Sequence, residues 1–158
     1  MAVLGPPAPF PDVALPGLDS GRRPLSEAWR RGHALVAVGH GDCQTTRLSL
    51  QFVDRLHRLA APPATAVAVL QDGAAEAREL VAELALALPV WLEPDPYPLA
   101  DRLGLVTVPT FFLVGPEGRI EAMSEAFRRA DFEAFALRLG IPPPLFRAGD
   151  DAPALRPG

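Results

Sequence analysis

The sequence predicts an α/β domain, with a central mixed β-sheet, helices on both faces and an N-terminal β-hairpin extension. Strand and helix patterns alternate between residues 34 and 88, and a hairpin followed by a helix fills residues 110–139. The chain has 158 residues, 49% of them hydrophobic, which suffices for one core and is short for two. We therefore expect an extended segment at 1–7, one domain at 8–140 and a Pro-rich tail, draped or disordered, at 141–158.

The first predicted element of the domain is a short hairpin. Residues 13–15 form a brief apolar run, and turn-forming pairs follow at 16–17 and 20–21. Ser26 then stands where an N-cap residue would begin a brief helix. This helix is expected to lead into the first buried strand.

Hydrophobic periodicity predicts the remaining elements. A helix at about 44–60 shows an apolar stripe at Leu48, Phe52, Leu56 and Leu59. Short apolar runs predict strands, and Ala/Leu/Glu-rich or amphipathic stretches predict helices. The strands are expected at 34–39, 65–70, 90–92, 110–114 and 119–123, and the other helices at 74–88, 99–103 and 131–139.

Composition excludes several classes of function. The net charge is −4, and all fifteen basic residues are dispersed arginines, so we expect no nucleic-acid partner. The N-terminus lacks the pattern of a secretory leader, and no apolar run approaches the roughly 18 residues of a membrane span. A single cysteine rules out an internal disulfide and agrees with a reducing compartment. We expect a cytoplasmic protein without membrane contact, without a metal and without a cofactor.

The segment around Cys43 carries the strongest signal for chemistry. The strand at 34–39 ends in a Gly-His-Gly turn, and Cys43 stands immediately before the helix that follows. The free N–H groups and the dipole at a helix N-terminus favour a thiolate. Cys43 is thus a candidate nucleophile, although a small buried apolar residue without reactivity is the alternative interpretation.

This order of elements, with Cys43 at the first strand–helix junction and a Val108-Pro109-Thr110 segment before the hairpin, resembles the thioredoxin-like superfamily. The likeness is to its redoxin branch, which includes alkyl hydroperoxide reductase/thiol-specific antioxidant proteins and thiol:disulfide interchange proteins, and it covers roughly residues 8–140. The resemblance implies that Cys43 is the first cysteine of a CxxC motif. It also implies that residues 108–110 form a cis-proline loop that offers backbone groups to an extended substrate.

Two departures from the redoxin pattern bear on activity. Thr46 replaces the second cysteine, so no dithiol cycle is available. Asp42 replaces the usual aromatic residue before the nucleophile, and its negative charge works against a thiolate. The Thr46 hydroxyl either donates a hydrogen bond to the Cys43 sulfur or belongs to an ordinary first-turn helix residue.

Two further candidates have alternative interpretations. His40 is a proton carrier for Cys43, half of a metal site, or a turn residue, and two ligands are too few for a closed zinc site. Trp91 either lines a substrate groove or belongs to the core, as most strand aromatics do.

The leading functional expectation is monothiol redox chemistry. Cys43 would form mixed disulfides with a low-molecular-weight thiol or a protein disulfide, which an external thiol would resolve. A non-catalytic protein-binding module and a one-cysteine peroxidase are the alternatives. No sequence feature indicates the oligomeric state.

Overall fold

A five-stranded mixed sheet organises the chain. The computed structural model describes residues 2–158. The strands are β1 (Ala14–Pro16), β2 (Arg22–Pro24), β3 (Ala34–Gly39), β4 (Thr65–Leu70), β5 (Val90–Leu92), β6 (Thr110–Val114), β7 (Ile120–Glu125), β8 (Phe127–Arg128) and β9 (Leu155–Arg156). The helices are α1 (Gln44–Leu59), α2 (Ala74–Glu83), α3 (Pro98–Leu103) and α4 (Arg129–Arg138), with a 3₁₀ turn at Leu25–Ala28. None of these helices is long and apolar enough to cross a membrane.

The strand order in the main sheet is β5-β4-β3-β6-β7. Strand β3 is central and buried along its whole length, with β4 parallel on one side and β6 antiparallel on the other. The carboxyl ends of β3 and β4 therefore lie at the same edge as the start of β6. Segments that follow β3, follow β4 or precede β6 meet at this edge, which positions the candidate site.

Two apolar clusters cover the two faces of the sheet. Leu35 and Ala37 of β3 face side chains of α1, α2 and α4, whereas Val36 and Val38 face α3, the 3₁₀ turn and the N-terminal segment. This division follows from the alternation of side chains along a strand. The predicted mixed sheet with helices on both faces is confirmed, and β1 and β2 form the predicted N-terminal hairpin.

Two local predictions were wrong because acidic side chains, one buried and one exposed, accept hydrogen bonds from backbone N–H groups. Helix α2 ends at Glu83 instead of 88, since the buried Asp54 carboxylate accepts hydrogen bonds from Ala87 N at 2.7 Å and Leu88 N at 2.9 Å. Ser26 is not an N-cap. It lies inside the 3₁₀ turn, and its own N–H donates to Asp12 Oδ1 at 2.9 Å.

The segment after residue 140 packs on the domain, contrary to a draped or disordered tail. Four of its apolar side chains are buried in the cluster beneath α1 and α4, namely Ile141, Leu145, Phe146 and Ala152. Arg55 makes a two-bonded ion pair with Asp150, at 2.6 and 2.9 Å. The core thus extends through Ala152, beyond the domain boundary that composition suggested.

Candidate active site

Cys43 lies where three segments converge at the sheet edge. It is the N-cap residue of α1, with an extended backbone (φ −85°, ψ 120°), and its N–H donates to His40 O at 3.0 Å. Cys43 is half-buried, and its sulfur donates to Val108 O at 3.7 Å, across 65 residues of chain. The Val108–Pro109 peptide bond is cis. The structure thus brings Cys43 to the Val108-Pro109-Thr110 loop.

Thr110 fixes the loop to the sheet. Its side chain is buried, and its hydroxyl donates to Thr107 O at 2.8 Å, while its backbone pairs with Val38 of the central strand. The position of the Val108 carbonyl is therefore tied to the rigid centre of the sheet.

Thr46 packs against the end of β3. Its side chain is 1% exposed, and its Oγ1 has no hydrogen-bond partner among residues 2–158. It packs so closely on Gly39 that a Cβ there would lie 2.6 Å from Thr46 Cγ2. The structure therefore contains no bond from the Thr46 hydroxyl to the Cys43 sulfur, which removes that interpretation.

The turn before Cys43 depends on Asp72, a residue that the sequence patterns did not single out. Gly41 N donates to both carboxylate oxygens of Asp72, at 2.9 and 3.1 Å. The Asp72 side chain is buried, so these charge-assisted bonds hold the turn firmly. Its position in the sequence could have indicated this role. Asp72 comes two residues after β4, and the residues that follow two adjacent parallel strands lie at the same edge of a sheet.

His40 bonds within the same turn. Its Nδ1 accepts from Asp42 N at 3.1 Å, so in this arrangement the ring proton of the neutral imidazole is on Nε2. The same Nδ1 lies 3.6 Å from Asp72 Oδ1. No group of three or more His, Cys, Asp or Glu side chains between residues 2 and 158 is arranged to hold a metal ion. In the structure, His40 contacts the turn that precedes Cys43.

The Asp42 side chain extends into solvent, with its Oδ2 3.8 Å from His40 Nδ1. The side chain is 97% exposed, so solvent screens its charge strongly. Arg47, in the first turns of α1, donates to Gly41 O at 3.3 Å and pairs with Glu83. Asp42 is thus adjacent to Cys43 in the sequence, but its side chain lies in solvent. Arg47, by contrast, stabilises the turn before Cys43.

Trp91 does not join the site, contrary to the groove interpretation. It lies on the edge strand β5, which β4 separates from β3, and its side chain is 2% exposed. It belongs to the cluster on the face opposite α1, and the Arg23 guanidinium covers its ring at 4.5 Å. Its burial under the N-terminal hairpin makes it a core residue.

The C-terminal residues contribute to the site, which the sequence patterns did not indicate. The buried Thr45, next but one to Cys43, donates from Oγ1 to Pro157 O at 2.5 Å. Gly158 lies so close to Val108 O that any side chain there would collide with this carbonyl. Pro157 and Gly158 therefore lie beside Cys43, between the start of α1 and the Val108 loop.

No family model matches the chain, and no curated protein matches its sequence. Solved structures do match. A protein described as a thiol:disulfide interchange protein DsbE from Chlorobium tepidum superposes with a TM-score of 0.75 at 24% identity, covering 87% of this chain and 96% of that one. A thioredoxin family thiol:disulfide interchange protein from Chlorobium tepidum TLS gives 0.70 at 16%, covering 87% and 99%. Peroxidoxin BcpB from Mycobacterium tuberculosis gives 0.69 at 14%, covering 83% and 92%.

These identities are too low to carry an activity over, but the superpositions span nearly the whole domain. The chain therefore has the thioredoxin-like fold, and its structural neighbours are redoxins.

Proposed function

We propose that this protein is a monothiol thiol–disulfide oxidoreductase that acts through Cys43. The observation that carries the proposal is the position of Cys43: the residue is half-buried at the N-terminus of α1, and its sulfur contacts the Val108 carbonyl. Backbone N–H groups at a helix start stabilise negative charge on a nearby sulfur. The thioredoxin-like fold places this cysteine at the first strand–helix junction, where disulfide-exchange enzymes of the fold have their nucleophile.

The proposed reaction has three exchange steps. The Cys43 thiolate attacks one sulfur of a disulfide, so the substrate S–S bond breaks, a Cys43–S bond forms and the second sulfur leaves as a thiolate that takes up a proton. An external low-molecular-weight thiol then attacks the Cys43 sulfur of the mixed disulfide, so the substrate leaves as its second thiol and Cys43 becomes joined to the external thiol. A second external thiol attacks that new disulfide, forms the external disulfide and releases Cys43 as a thiolate. Two equivalents of external thiol become one disulfide, and the substrate disulfide becomes two thiols.

An external thiol is required because the chain cannot resolve its own mixed disulfide. Cys43 is the only cysteine, and Thr46 occupies the position one helical turn further on. An internal disulfide is therefore impossible within one chain. We propose protein disulfides as the substrate class, because the Val108-Pro109-Thr110 loop lies beside the Cys43 sulfur and corresponds to the loop that offers backbone groups to an extended substrate in the family that the chain resembles.

The test is mixed-disulfide formation measured by intact-mass spectrometry. We expect the parent protein to form a one-to-one adduct with glutathione disulfide, and Cys43→Ser to form none. We expect Thr46→Cys to gain dithiol-dependent reduction of insulin, because the second thiol would resolve the adduct internally.

Two other results would contradict the proposal. If Cys43 forms no adduct until the protein is unfolded and Thr46→Cys is inactive as well, the fold serves only as a binding module. If hydrogen peroxide converts Cys43 to a sulfenic acid that a dimedone probe traps, while glutathione disulfide does not react, the protein is a peroxidase instead.

A further inference from the structure

The C-terminal residues form a strand that leads directly to Cys43. Strand β9 pairs antiparallel with β8, with Phe127 opposite Arg156 and Arg128 opposite Leu155. Arg129 N donates to Ala154 O at 3.0 Å at the start of this pairing. The segment thus pairs with β8 in a two-stranded sheet outside the main sheet, and strand pairing is one way in which proteins bind extended peptides.

Beyond β9 the segment contacts both sides of the candidate site. On the α1 side, the Thr45 hydroxyl holds Pro157 O at 2.5 Å. On the loop side, Gly158 abuts the Val108 carbonyl, the same oxygen that accepts the Cys43 S–H. Pro157 and Gly158 therefore lie between α1 and the Val108 loop, while residues 155 and 156 pair with β8.

The segment is held at the surface and is not part of the core. Leu155 is 49% exposed, and the three residues after it are also exposed, so little apolar area holds them in place. The preceding residues are firmly anchored, because Ala152 is buried and Asp150 pairs with Arg55. A short segment on such an anchor has a high effective concentration at its site and can leave without unfolding the domain.

We propose that residues 155–158 are an intramolecular occupant of the peptide groove beside Cys43, and that a protein disulfide must displace them to react. This regulatory role rests on the function proposed above. A small disulfide reaches the half-buried Cys43 past the segment, whereas an extended peptide needs the Thr45 hydroxyl and the edge of β8 that the segment uses. The segment therefore selects against bulky substrates until it is displaced.

The first experiment removes residues 155–158, which leaves Ala154 and its bond to Arg129 in place. We expect the truncated chain to form mixed disulfides with a protein disulfide about tenfold faster than the full chain, since apparent reactivity scales with the open fraction. With glutathione disulfide we expect less than about a twofold change. Equal acceleration with both substrates, or none with either, would overturn the selective role.

A second arm does not depend on redox chemistry. We expect a synthetic peptide of residues 153–158 to bind the truncated chain and to shift the amide resonances of Thr45 and Val108, while the full chain and a scrambled peptide show no such binding. Thr45→Val in the truncated chain should weaken that binding severalfold, because it removes the hydroxyl donor.

The two arms separate the two proposals. Peptide binding together with a Cys43 that reacts with no disulfide in either chain would reject the redox function and retain the groove occupant. Disulfide reactivity without any peptide binding would retain the redox function and reject the occupant.

Discussion

Thr46 has a buried hydroxyl for which the structure provides no partner between residues 2 and 158, and replacing it with valine should stabilise the protein. An unsatisfied buried polar group costs about 1–3 kcal/mol, and Thr46→Val exchanges that hydroxyl for a methyl group of similar shape. The side chain packs tightly on Gly39, so the bulkier methyl group offsets part of the gain. We expect a net increase of about 1 kcal/mol in the free energy of unfolding, or roughly 2–4 °C in Tm for a domain of this size.

Urea denaturation of the reduced proteins measures this difference, with the slope m compared to exclude a change in the unfolded state. The matched control is Thr46→Ser, which keeps the hydroxyl and deletes the methyl group. It should lose about 1 kcal/mol, the contribution of one buried methyl group. A Thr46→Val variant that is less stable than the parent by a similar amount, with m unchanged, would show that the hydroxyl is satisfied in solution and would refute the reasoning.

Two further predictions concern the turn before Cys43 and the C-terminal anchor. Asp72→Ala should lower the free energy of unfolding by about 1.5–3 kcal/mol, because the Gly41 N–H loses a charged acceptor, and amide exchange at Gly41 should accelerate; an unchanged exchange rate would contradict this. Hydrogen bonds from the Arg55 side chain and the Arg147 N–H lower the pKa of Asp150 from 3.8 to about 2. A lowered carboxyl pKa stabilises the fold above the unfolded-state value, and this contribution disappears as the pH falls toward 2. Asp150→Asn should therefore be less stable than the parent above about pH 4 and indistinguishable near pH 2, and a difference in urea midpoints that persists at pH 2 would argue against the assignment.

Local patterns were sufficient for most of the fold. The apolar run at 34–39 and the four-residue spacing in α1 reflect burial on a strand and on a helix face, and both elements lie where the pattern predicts them. Cys43 likewise falls at the start of α1, because the change of period marks the strand–helix junction. The thioredoxin-like resemblance followed from this order of elements and is confirmed by the superpositions.

Trp91 shows where periodicity is insufficient. A short aromatic strand has the same pattern whether its side chains line a groove or fill a core. The order of strands in the sheet decides between them, and it places Trp91 at an edge under the N-terminal hairpin.

By itself the sequence determined the five strands of the main sheet, their order along the chain and the cysteine at the start of a helix, because these depend on residues within a few positions of one another. Tertiary structure alone decided what surrounds that cysteine. Asp72 is 31 residues from the Gly41 that it holds, Val108 is 65 from Cys43, and Pro157 is 112 from Thr45. Contacts over such separations leave no periodic pattern in the chain, since they arise only when the parallel strands, the loop before β6 and the C-terminal strand meet at one edge of the sheet.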